Sequence, residues 1–200
     1  MKQFAALVYT IGTSTKTNEK LQALQDYFAT APEKDMVWVI AVFTGRRPKR
    51  IVNSTFLKNL CINICNIPSW LFEECYHTAG DLGETISLLL PETEHVNSEE
   101  KTLSYYLEHF ISILKEPDEI KTAFILDSWQ QMDRNEKFVF NKLIASAFTI
   151  IVCETPIRKP PVISLLKTNF SFLSICCQLS KINPFLISSG SFSMLIKCSR

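Results

Sequence analysis

Leu103, Tyr106, Leu107, Phe110, Ile111 and Leu114 follow one another at intervals of three, one, three, one and three residues. A helix gathers such positions into one stripe, whereas a strand scatters them over both faces. Residues 118–131, through Phe124, Leu126 and Trp129, and 134–148, through Phe138, Phe140, Leu143 and Ile144, repeat the helical pattern. Upstream, residues 2–10 are apolar without a breaker, and Thr17 is placed to cap a segment that carries Leu21, Leu24, Tyr27 and Phe28 on one face and closes at Pro32. Residues 34–44 are apolar nearly all round, which predicts a central helix with Gly45 as its left-handed cap; their β-branched content also allows a buried strand. Ser54 is placed to cap 55–65, with Phe56, Leu57, Leu60 and Ile64 inward. Pro68 suits the first turn of 69–78, which carries Trp70, Leu71 and Tyr76, and Gly80 separates that helix from 81–90, ended by Pro91. No convincing hairpin signal occurs. The expectation is an all-α, multi-helix domain over residues 1–148.

A chain of 200 residues, 46% hydrophobic and 20% charged, can bury a core and is neither disordered throughout nor collagenous. Its 21 basic and 20 acidic side chains balance, so average charge is silent about partners. The balance hides a split. Residues 1–150 carry 15 basic and 19 acidic groups, while 151–200 carry six basic groups and the single acid Glu154, with nine serines and four of the seven cysteines. That second part shows no sustained period of 3.6 or 2. Its uncharged runs, 168–180 and 182–196, fall short of the roughly 18 to 20 apolar residues of a spanning helix. We read 149–200 as an atypical tail of the composition that translation past a frameshift produces, or as disordered. The opening MKQFAALVYTIGTSTK lacks a small-x-small cleavage site, so no signal peptide is expected, and the odd number of cysteines fits reduced thiols in a cytosolic protein.

Catalytic constellations are missing. The glycines at 12, 45, 80, 83 and 190 match neither phosphate-cradling spacing, no G-x-S-x-G or H-E-x-x-H occurs, and His77, His95 and His109 are far apart. Cys61 and Cys65, one helical turn apart, could form half a metal site with Cys75 and His77. We prefer them as small buried hydrophobes, because zinc pairs normally sit on a turn. Adjacent Glu73 and Glu74 face different directions, as solvated surface does.

One concentrated charge feature remains, GRRPKR at 45–50, four cations in five positions just past a predicted helix end. Compensation of the helix dipole is one reading. Dipole compensation needs one or two charges, however, and four on a proline-stiffened loop repel one another unless an anion is present. Arg46, Arg47, Lys49 and Arg50 therefore suit a polyphosphate backbone, bound in a salt-sensitive and sequence-tolerant way.

Four segments resemble the N-terminal DNA-binding domain of ATP-dependent DNA ligases, most closely the bacterial cisplatin-damage-response type. They are KQFAALVYTIGTSTKTNEKLQALQDYF, the VFTGRRPKR loop, WLFEECYHTAGDLGETISLLLP at 70–91 and NEKFVFNKLI at 135–144. The most specific is GDLGE at 80–84, and coverage is about residues 1–144. In that turn Gly80 permits a tight approach, Asp81 is placed to cap the next helix, and Gly83 in the first turn would leave backbone amides exposed to a phosphate; a plain interhelical turn with a capping aspartate explains the same residues. Relatives continue into an arginine and a glycine where this chain has Thr149 and Ile151.

The resemblance implies DNA contact by Arg46, Arg47, Lys49, Arg50 and Lys142 and at Gly80 and Gly83, through the sugar–phosphate backbone of nicked duplex DNA, in repair, replication or recombination. It implies no catalytic and no metal residue here: the Lys-x-Asp-Gly nucleophile is absent, so ATP and a divalent metal belong to the full-length family and no cofactor to this chain. A cytoplasmic, nucleoid-associated monomer without membrane contact, inactive alone, is the resulting expectation. The rival reading is a helical protein-interaction scaffold that binds no nucleic acid.

Overall fold

A computed structural model of the chain describes residues 1–43, 49–92 and 100–145. Among them are nine α-helices and no strand: α1 (Lys2–Thr13), α2 (Thr17–Thr30), α3 (Glu33–Phe43), α4 (Ser54–Cys65), α5 (Ser69–Ala79), α6 (Leu82–Leu89), α7 (Leu103–Ser112), α8 (Asp118–Gln131) and α9 (Arg134–Ile144). The all-α expectation is met. The strand allowed for 34–44 gives way to α3, whose Met36, Val37, Trp38, Val39, Ala41 and Val42 are buried nearly all round. Gly45 and residues 146–200, the tail included, lie outside the described residues.

Helix α9 is the hub. It packs against α6 on one side and α1 on another, while α1 also rests on α2, α3 on α7, and α4 and α5 on α6 and on each other. Phe140, Val139 and Ile144 are at most 1% exposed, and Phe140 closes an aromatic cluster with Tyr106, Phe110 and Phe124 at centroid distances of 5.7, 5.4 and 6.1 Å. Rings at such separations add to the area they bury, so α7, α8 and α9 are joined through one apolar contact.

Caps set the helix ends. Asp133 and Glu136 form a reciprocal capping box at α9. Two predicted caps shift by one residue. Asn53, not Ser54, caps α4, because its Oδ1 accepts from Phe56 N at 2.6 Å. Thr17 is the first residue of α2 and caps nothing; the chain enters through Ser14, whose hydroxyl accepts from Lys16 N and donates to Glu19. Helix α7 receives an unpredicted cap from a distant residue. Buried Asp35 accepts from Ser104 N at 2.8 Å and Leu103 N at 3.2 Å, and Thr102 accepts from Tyr105 N, so all three first-turn amides are satisfied.

Two side chains expected inward, Ile64 and Ile111, are 41 and 46% exposed, and Trp70 on α5 is 66% exposed. Helix α7 ends at Ser112, and Ile113, three residues after Phe110 and seven after Tyr106, is buried on their stripe while Ile111 falls outside it.

Candidate nucleic-acid interface

Helices α4, α5, α6 and α9 leave a cleft of about 300 Å³ between them, and of the sequence-predicted residues in the described part Gly83 and Lys142 line it. Ser54 and Lys58 line it from α4, Glu73 and Tyr76 from α5, Asp81 and Gly83 from the start of α6, and Asn141 and Lys142 from α9.

The turn between α5 and α6 places the last two elements. Gly80 ends α5 in the left-handed region, φ +74°, and its N–H donates to Tyr76 O at 2.8 Å. A Cβ there would meet nothing within 4 Å, so glycine is required by conformation and not by space. Asp81 then caps α6, Oδ1 accepting from Glu84 N at 3.0 Å.

Gly83 departs from its expected role. It is buried, not open: a Cβ would stand 3.3 Å from Lys142 Cγ and from Asp81 Oδ1, and 3.4 Å from Phe138 O. The first turn of α6 is thus occupied by its own aspartate and covered by the Lys142 stem, and glycine here lets α6 approach α9. Of the amides that the sequence pattern would offer to a phosphate, Glu84 N is already taken by Asp81 Oδ1.

Lys142 donates to Asp81 Oδ2, and Lys58 to Glu73 Oε1, so both cleft ammonium groups are paired with carboxylates. Outside the cleft the balance changes. The segment leading into α4 is pinned to the end of α9 by Ile51 N donating to Ile144 O at 3.3 Å. Arg50 folds back on that segment, Nε donating to Val52 O at 2.9 Å and a terminal nitrogen to Ser54 Oγ at 2.7 Å. Lys49 beside it is exposed and has no carboxylate partner among the described residues. Arg46 and Arg47 lie outside the described residues.

Of the residues picked from sequence, the fold therefore brings Gly83 and Lys142 into the cleft, Arg50 to its edge through Ser54, and Lys49 and Gly80 next to it along the chain. Sequence reasoning missed Asn141, Lys58 and Ser54 as lining groups. Asn141 carried a signal, as a polar residue in the stretch 138–144, whose one other polar residue is Lys142.

The Cys61 and Cys65 sulfurs are 3.9 Å apart, and Cys61 is fully buried, which pushes its thiol well above the usual range. Among the described residues no three of His, Cys, Asp and Glu converge as a metal site would require, and no helix is long and apolar enough to cross a membrane.

The described residues thus form an all-helical unit with Lys49 and Arg50 beside a polar cleft. Its family is shown by sequence: residues 1–159 match the DNA ligase N terminus family, and the chain belongs to it. The match runs past Ile144, where the segment-by-segment resemblance ends. No curated protein matches the chain. Membership of that family implies association with DNA.

Proposed function

We propose that this chain is the DNA-gripping N-terminal part of an ATP-dependent DNA ligase of the bacterial cisplatin-damage-response type. It holds nicked duplex through the sugar–phosphate backbone, while adenylation and sealing require a Lys-x-Asp-Gly nucleophile that does not occur in these 200 residues. The family match over residues 1–159 carries the reading. Exposed Lys49 and braced Arg50, next in sequence to Arg46 and Arg47, supply the charge that a phosphate backbone needs. Contacts of this kind release counterions and do not read bases, so affinity follows salt and ignores sequence. In this reading the protein acts as a cytoplasmic monomer, and ATP and a divalent metal serve the catalytic domain of the family.

The test is fluorescence anisotropy of the full chain with a labelled nicked duplex across a range of salt. Four phosphate contacts give a log–log salt slope of about −3 to −4, and the double variant Arg46→Ala, Arg47→Ala flattens it by about 2. Absence of binding at low salt, or a double variant with unchanged slope, refutes the proposal.

A further inference from the structure

Ser54, the first residue of α4, has a hydroxyl that the helix cap does not use. Asn53 supplies the cap, its Oδ1 accepting from Phe56 N, and the Ser54 side chain takes another partner. That partner is Arg50, whose Nη2 donates to Ser54 Oγ at 2.7 Å while Nε donates to Val52 O at 2.9 Å. The platform under these bonds is fixed. Ile51 and Val52 are 8 and 5% exposed, and Ile51 N is tied to Ile144 O at the end of α9.

Nε and Nη2 lie along one edge of the planar guanidinium, and both are engaged there by protein oxygens. The adjoining edge, made of Nη1 and the second hydrogen of Nη2, has no partner among the described residues, and Arg50 is exposed. Neither acceptor carries a charge, so the cation stays unneutralised. Lys58 and Lys142 differ in this respect, since Glu73 and Asp81 pair with them. Two parallel N–H groups on a held edge match two oxygens of one phosphate, a geometry that a lysine does not offer.

We propose that Ser54 is a positioning residue for DNA binding: its hydroxyl holds the Arg50 guanidinium so that the free edge is preset to grip one phosphate at two oxygens. The proposal rests on the DNA-binding reading for the source of that phosphate, the backbone of a duplex. A long side chain ordered before binding has no rotamer freedom left to lose on binding. For one arginine that saving corresponds to about a two- to tenfold gain in affinity.

The full chain and its variants are titrated with labelled nicked duplex by fluorescence anisotropy across a range of salt. Ser54→Ala should weaken binding about two- to tenfold at every salt concentration and leave the log–log slope unchanged, because it removes a brace and no cation. Ser54→Thr keeps the hydroxyl and should bind as the parent does. Arg50→Ala should also flatten the slope by about 0.9, and Ser54→Ala added to it should change nothing further. The Arg50 Nε–H resonance of nitrogen-15 labelled chain reads the brace without DNA. Its exchange with water should be slow in the parent and in Ser54→Thr, and faster in Ser54→Ala, where Val52 O alone remains.

A Ser54→Ala loss below twofold, an equal loss in the Arg50→Ala background, or Arg50 exchange that Ser54→Ala leaves unchanged overturns the proposal, while the parent's own binding keeps the DNA reading standing. A parent that binds no duplex at low salt removes the DNA reading, and the positioning role with it.

Discussion

Replacing Asp35 with alanine tests the most consequential polar contact in the fold. Its carboxylate, 5% exposed, holds the first two amides of α7 at 3.2 and 2.8 Å from a position 68 and 69 residues earlier in the chain. A hydrogen bond to a charged group contributes about 1.5–3 kcal/mol, and loss of an N-cap acceptor alone costs about 0.5–2. Two such bonds would total more, but removing the carboxylate also relieves its desolvation. We expect Asp35→Ala to lose about 3 kcal/mol, and Asp35→Asn about 2, since its amide keeps one acceptor and sets a donor against the other N–H. With a urea slope of about 2 kcal/mol/M, the alanine variant's midpoint falls by roughly 1.5 M at unchanged slope. Hydrogen exchange at Leu103 and Ser104 separates this cause from general loosening, because these two amides lose protection first. A loss below about 1 kcal/mol, or exchange that rises evenly over all helices, would refute the reasoning.

Two further outcomes follow from single sites. Gly80→Ala should cost about 1–2 kcal/mol through its left-handed φ, with Gly80→Asn costing less; equal losses, read by thermal unfolding, would point to packing instead. Burial, the largest influence, raises the Glu136 carboxyl above its ordinary value, so the folded chain holds that proton more tightly than the unfolded one. Its contribution to stability is therefore full below the unfolded value of about 4.3 and is lost as pH rises through the higher folded value. Glu136→Gln keeps a glutamine-compatible capping box and drops this dependence. Its stability relative to the parent should rise between about pH 4 and pH 7, as urea midpoints at the two pH values will show, and an unchanged difference would exclude the effect.

Local signals carried much of the fold and long-range ones did not. Three–four spacing and the glycine and proline breaks located the helices because both act within a few residues. Asn53-Ser54-Thr55 offered three capping side chains in a row, and which one reached an amide depended on the path of the entering chain, set by the Ile51–Ile144 bond. Asp35 could not be read as the cap of α7, since periodicity holds no record of a partner 68 residues away. For the same reason Lys142 was legible as a cation but not as Asp81's partner, 61 residues apart, and Gly83 as a turn glycine but not as the contact face of α9.

These distant contacts converge on one helix, and that links the core to the site. Within four residues α9 supplies Phe138, whose carbonyl packs near Gly83, Phe140, which closes the aromatic cluster, and Asn141, which binds Trp129 and lines the cleft. A helix turns about 100° per residue, so neighbours on it face different partners and move together as a rigid unit. Displacing α9 to accommodate a core change would carry Asn141 and Lys142 with it, and the spacing of Lys142 from Asp81 would change before the fold failed. The placement of the cleft's charges is thus set by apolar packing several residues away, which the cations read along the chain do not record.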